Sequence, residues 1–148
     1  MFKIKVERIV KAPIEKVFEA ISDHASYALY PAVGIAHLLN EGDEGDEERN
    51  GKGAFRTVET GAFKVWERIT AFERPVHMQY KIERSKPFKI DHYEGIIDLT
   101  DLGDGTTQVT WVSEGKIAVP LIGRFLDNKM QKQGSAVFHS MLKSIESR

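Results

Sequence analysis

At 148 residues, with no cysteine, the chain is long enough for one domain with a full core, and disulfide or thiolate chemistry is excluded. A net charge of −1, with the basic residues scattered, leaves no nucleic-acid footprint. No apolar run approaches the ~18 residues of a membrane span, and the N-terminus lacks a signal-peptide core, so a cytoplasmic protein without an integral membrane segment is expected.

Phe2, Ile4 and Val6 alternate with Lys3, Lys5 and Glu7, which predicts a half-buried strand to about Val10. The period then lengthens. Pro13 opens a helix whose stripe is Ile14, Val17, Phe18 and Ile21, and residues 23–30 form a second short helix stopped by Pro31. Six strands are expected next: Val33–Asn40, Gly53–Thr60, Ala62–Phe72, a stretch alternating Val76, Met78, Tyr80 and Ile82, Phe88–Thr100, and Thr106–Gly115. The acidic stretch Glu41–Glu48 and the Asp104-Gly105 turn separate strands. The third of these six and the fifth break their own alternation. A β-bulge accounts for that, with Gly95 as one place for it; partial covering of both faces is the alternative.

The remaining stretch, Val119–Arg148, has one apolar stripe. Met130, Val137, Phe138, Met141 and Ile145 fall within about 60° of Gly134 at 100° per residue. As a helix it would reach about 45 Å and cross the whole domain. No second long helix exists to pack beside it, so its partner has to be a curved sheet. Consecutive strands with short turns make that sheet an antiparallel meander, and the fold class is α+β.

Three segments carry a family resemblance: Lys11-Ala-Pro-Ile-Glu-Lys-Val-Phe-Glu-Ala-Ile-Ser-Asp23, Glu67-Arg-Ile-Thr-Ala-Phe-Glu-Arg-Pro75 and Gly103-Asp-Gly-Thr-Thr-Gln-Val-Thr-Trp111. They resemble the START-like, birch-pollen-allergen-like (SRPBCC) superfamily, in its polyketide cyclase/dehydratase and lipid transport branch. The resemblance implies a helix-grip fold over residues 1–148: a seven-stranded curved sheet around the long C-terminal helix, with a cavity between them. It also implies an apolar small-molecule ligand such as a lipid, quinone or aromatic polyketide. It carries no catalytic signature.

On the residues alone, the helix stripe reads as an ordinary core with one tolerated glycine; Gly134 costs about 1 kcal/mol relative to alanine, so something needs the space, either a close strand or a ligand. With the resemblance, the same stripe reads as a cavity wall. Met130, Gly134, Val137 and Met141 would then face Tyr80 and Trp111, with Glu67, Arg56, His37 and Tyr93 as polar anchors. Arg56 and Glu67 share an inward phase on neighbouring strands, where each would lower the cost of burying the other. His37 shares a phase with Val33, Ile35 and Leu39. The five histidines have no metal-ligand spacing, the acidic loop lacks the EF-hand pattern, and nucleotide and hydrolase motifs are missing, so no metal, cofactor or catalytic residue is assigned. Binding or transport of a hydrophobic small molecule is the expected function. A cyclase/dehydratase-like enzyme is one rival, and a co-chaperone-like interaction module with a filled core is another. Trp66 on an outer face marks a candidate homodimer surface.

Overall fold

The computed structural model describes residues 1–31, 33–42, 48–60 and 63–148, without the side chains of residues 33–35. Residue 32, residues 43–47 of the acidic stretch, and residues 61 and 62 lie outside that set.

The elements follow in the order β1 (Phe2–Val10), α1 (Ile14–Ser22), a 3₁₀ helix (His24–Leu29), β2 (Val33–Asn40), β3 (Phe55–Thr60), β4 (Lys64–Glu73), β5 (His77–Lys86), β6 (Ile90–Asp101), β7 (Thr107–Ile117) and α2 (Gly123–Ile145). The strands form one antiparallel sheet in the order β1-β7-β6-β5-β4-β3-β2. Every pairing joins sequence neighbours except β1 with β7. That pairing is possible because the two short helices carry the chain from one sheet edge to the other, as a meander with a single crossover requires.

α2 starts at Gly123, later than the expected stretch from Val119, so its 23 residues span about 35 Å. Its C-terminal part carries the fully buried residues Met141, Leu142 and Ile145. These pack with Val17, Phe18 and Ile21 of α1 and the inward residues of β1 and β7 in one apolar core. Gly134 answers to a close neighbour: a Cβ there would sit 2.4 Å from Ile4 Cδ1 of β1. The glycine brings α2 down onto the first strand.

The sheet bends where its register slips. β4 shifts against β5 between Trp66 and Glu67 and again between Ile69 and Ala71. This lets Glu67 and Ile69 face inward and then returns Phe72 to the interior, where it meets Phe18 edge-on at 5.1 Å. In β6 the slip lies between His92 and Glu94, at Tyr93 and not at Gly95. Gly95 has a different duty. It pairs with Tyr80, and a Cβ would come within 2.2 Å of the Tyr80 ring, which lies flat over the glycine.

Two expected polar anchors are corrected here. His37 is exposed, and its neighbours Ala36 and Leu38 turn inward instead. Leu39 keeps phase with His37 and is likewise 50% exposed, so along residues 36–39 of this edge strand the face carrying His37 is the outer one. Tyr93 is 52% exposed because the slip at that residue turns it outward between the buried His92 and Gly95.

Candidate functional site

Between the concave face of the sheet and the N-terminal part of α2 lies a cavity of about 350 Å³. Its walls are mostly apolar. α2 supplies Leu126, Met130, Gly134, Val137, Phe138 and Met141, and the sheet supplies Phe2, Ile4, Val58, Val65, Ile82, Ile90, Trp111 and Ile117. Trp111 stacks on Phe138 with ring centroids 3.9 Å apart, so the indole plane bridges β7 and α2. Eight of the ten residues singled out from the sequence line this space: Tyr80, Trp111, Met130, Gly134, Val137, Met141, Arg56 and Glu67.

The deep part of the cavity carries its polar groups. Arg56 and Glu67 are direct partners across β3 and β4, and Arg56 Nε donates to Glu67 Oε1 at 2.6 Å. Arg56 is 1% exposed and cannot be left unpaired there. Its Nη1 donates to the Ser22 carbonyl at 3.0 Å and its Nη2 to the Tyr27 hydroxyl at 2.8 Å. Tyr27 in turn donates to the Ile21 carbonyl at 2.8 Å. Burial opposes the Arg56 charge, but Tyr27 and Glu67 more than offset it and hold the guanidinium protonated. Burial, against the pull of Arg56, pushes the Tyr27 phenol up to about 12. The arginine therefore clamps α1, the 3₁₀ helix and two strands, while Glu67 Oε2 keeps no protein partner among the described residues.

A second chain of groups crosses β5, β6 and β7. The Ile82 backbone N–H donates to His92 Nδ1 at 3.1 Å, so the neutral ring carries its proton on Nε2 and donates it to Ser113 Oγ at 2.8 Å. Burial, with the nearby Lys81 charge, lowers the His92 pKa to about 4 and keeps the ring neutral at pH 7. Trp111 Nε1 donates to the Tyr80 hydroxyl at 2.9 Å. Each of these hydroxyls, Ser113 and Tyr80, accepts one bond, and since the two could at most satisfy each other, at least one hydroxyl proton has no protein acceptor among the described residues. Both residues line the cavity. Burial and the Glu67 charge raise the Tyr80 pKa, so Tyr80 is a neutral donor and not a base.

Sequence reasoning passed over Ser113 and Tyr27, and placed His92 only at a loss of strand phase. The alternation of β7 puts Ser113 on the same face as Val109 and Trp111, so that residue was findable. Tyr27 sits in a short 3₁₀ helix whose facing no period reveals. Asp127, on the α2 stripe, does not line the cavity. It is buried, accepts the Ile117 N–H at 2.9 Å and the Met1 amino group at 2.6 Å, and so ties α2 to the end of β7 and the start of β1. Among the described residues, no cluster of three metal-ligating side chains occurs.

A curved antiparallel sheet gripping a C-terminal helix, with a pocket between them, defines a START-like helix-grip protein. The chain belongs to the polyketide cyclase / dehydrase and lipid transport family, whose sequence profile matches residues 1–148. Among curated proteins, none matches the sequence. Among solved structures, the fold is similar to that of the protein TTHA0849 from Thermus thermophilus, with a TM-score of 0.78 and 18% identity over 98% of this chain and 94% of that one. It is also similar to a START superfamily protein from Mycobacterium smegmatis, with a TM-score of 0.77 and 14% identity over 100% and 97% of the two chains. The Ara h 8.0201 crystal structure matches with a TM-score of 0.65 and 20% identity over 99% and 98%. At these identities the likeness establishes the fold. No helix among the described residues is long and apolar enough to cross a membrane.

Proposed function

We propose that this single-domain protein reversibly binds a hydrophobic small molecule, of lipid, quinone or aromatic polyketide-like class, between the sheet and α2. The observation that carries the reading is the combination of a mostly apolar cavity of about 350 Å³ with two unspent polar functions deep inside it, Glu67 Oε2 and one hydroxyl proton of the Tyr80–Ser113 pair. The apolar walls supply affinity at roughly 25 cal/mol per Å² of ligand surface removed from water. The polar pair supplies orientation, since it fits a ligand head with one hydrogen-bond donor and one acceptor. Arg56 does not reach for the ligand. Its described bonds go to the protein, and it positions Glu67 at the wall.

Binding is favoured over catalysis by the same groups. Tyr80 is driven away from ionisation, and His92, the buried imidazole, is not among the residues that line the cavity. A cytoplasmic location fits a chain without cysteine.

Native mass spectrometry of protein purified from its own source, followed by extraction and identification of the bound molecule, tests the proposal. An apolar adduct that Val137→Trp excludes and Tyr80→Phe weakens roughly tenfold is the expected result. If a broad panel of lipids and aromatics leaves the protein unliganded, the binding reading fails.

A further inference from the structure

The net charge of −1 conceals a separation of charge along the molecule. In an antiparallel sheet, the start of β4, the end of β5, the start of β6 and the end of β7 lie at one end. The N-terminus of α2 joins them there through the short link after Ile117. This end, and the first turns of α2 beside it, carry Lys64, Arg84, Lys86, Lys89, Lys116, Arg124, Lys129 and Lys132. Lys64 pairs with Glu59 at 3.4 Å and Lys89 with Asp91 at 3.5 Å. Lys116, Arg124, Lys129 and Lys132 are exposed and form no ion pair among the described residues. The opposite end presents Glu41, Glu73, Asp98, Asp101 and Asp104 in its strand ends and turns, with Lys11, Arg49, Lys52 and Arg74 beside them, of which Arg49 pairs with Glu41 and Arg74 with Glu15, Glu19 and Glu48.

The basic end is also where apolar side chains stand in water. Leu121 is fully exposed, Phe125 is 66% exposed and Ile122 is 49% exposed. All three lie within residues 121–125, in the turn that leads into α2 and in its first turn. Leu121 has φ 71°, a left-handed conformation that a leucine adopts only under strain. A strained backbone holding a large apolar side chain in solvent contributes nothing to the interior, so its value lies outside the molecule. The cavity opens next to it: Leu126, Lys129 and Met130 of α2, with Pro87 and Phe88 of the β5–β6 turn, line the same pocket.

We propose that this end docks on an anionic lipid surface, with Leu121, Ile122 and Phe125 entering the acyl boundary and Lys116, Arg124, Lys129 and Lys132 meeting the lipid phosphates. Charge complementarity selects this occupant. A second copy on a two-fold axis would bring the same four cations against themselves. Three apolar side chains also fall well short of the ~800 Å² that each partner buries in a stable protein interface. A bilayer answers both features, because it takes up a small apolar wedge and its phosphates neutralise the surrounding cations. Docking here would set the cavity mouth against the membrane, although the surface does not require the cavity to be occupied.

The test is co-sedimentation of the full chain with phosphatidylcholine vesicles, with and without a third of phosphatidylglycerol, alongside size-exclusion chromatography and uptake of a fluorescent phenylnaphthylamine by the cavity. The expected result is binding to the anionic vesicles that is lost at about 1 M salt, where the Debye length is ~3 Å. Lys116→Gln with Arg124→Gln should weaken it roughly twenty-five-fold, at about fivefold per cation. Phe125→Ser should weaken it at least tenfold, with circular dichroism and phenylnaphthylamine uptake unchanged. No association with anionic vesicles at low salt overturns the proposal, whether or not the probe enters the cavity, and probe uptake reports separately on the ligand reading. Vesicle binding indifferent to both variants overturns it as well. So does a wild-type dimer that Phe125→Ser dissociates, since the patch then belongs to a second copy.

Discussion

The two ends of the cavity are built on opposite terms. Deep inside, Arg56, Glu67 and Tyr27 are buried, and the arginine's described hydrogen bonds all go to neighbouring elements. At the mouth, Leu121 and Phe125 are exposed apolar groups and Lys116 and Arg124 are exposed charges without ion-pair partners among the described residues. The deep end violates the rule that charges stay in water and compensates through the Arg56–Glu67 pair, leaving Glu67 Oε2 to face the cavity. The mouth violates the rule that apolar groups stay out of water and does not compensate. A compensated violation reports on architecture; an uncompensated one points to something outside the chain.

The largest expected effect comes from breaking the compensation at the deep end. Arg56→Met leaves Glu67 buried without its partner and should cost about 3–5 kcal/mol in urea denaturation. Adding Glu67→Leu to Arg56→Met should recover most of that loss, because an apolar pair of similar volume carries no desolvation penalty. If the double variant is as unstable as the single one, the clamp on Ser22 and Tyr27 outweighs the ion pair.

His92 sharpens the same end through pH. Its folded pKa of about 4 lies below the ordinary 6.5, so between these values the unfolded chain takes up a proton that the folded chain refuses. Its contribution is fully present above about pH 6.5 and is lost as pH falls toward 4, by about 3 kcal/mol at most. Urea midpoints at pH 7 and pH 4.5 should show that loss in the wild type and a smaller one in His92→Gln.

Gly95→Ala is the next step down. The added Cβ meets the Tyr80 ring at 2.2 Å, and rigid backbone on one side leaves the ring to move, at about 1–3 kcal/mol. Loss of the Trp111–Tyr80 hydrogen bond should appear as a change in tryptophan fluorescence. Gly134→Ala meets only the flexible end of Ile4, so the helix-propensity gain of about 1 kcal/mol offsets much of the clash and the net change should be small.

The smallest effect belongs to the mouth, and its sign is reversed. Leu121→Gly relieves the left-handed strain without removing any buried contact, so thermal denaturation should show a gain of about 0.5–1 kcal/mol. A stabilising change at a natural residue would mark Leu121 as kept for a purpose other than folding.

The resemblance implied a cavity between the sheet and the C-terminal helix, where the structure has one, and the alternation of β5 and β7 put Tyr80 and Trp111 on one face. Alternation failed at Tyr93 because strand phase is only as good as strand register, and a single slipped residue there inverts which side chains enter the interior. At His37 the phase with Leu39 held, but the face that carries both is the outer one. Gly134 was legible as an anomaly, but its cause was not: the neighbour it accommodates, Ile4, is 130 residues away in the chain.

The sequence by itself determined the element order, the amphipathic C-terminal helix and, through its motifs, the helix-grip family, because these rest on periodicity and turn chemistry that act over a few residues. Strand phase also brought Arg56 and Glu67 together as candidates, but tertiary structure alone decided that Tyr27 and Ser22 complete their clamp and that Leu121 and Phe125 stand exposed beside the cavity mouth. Those facts depend on which distant segments the curved sheet brings together and on where its register slips, and no local pattern encodes either.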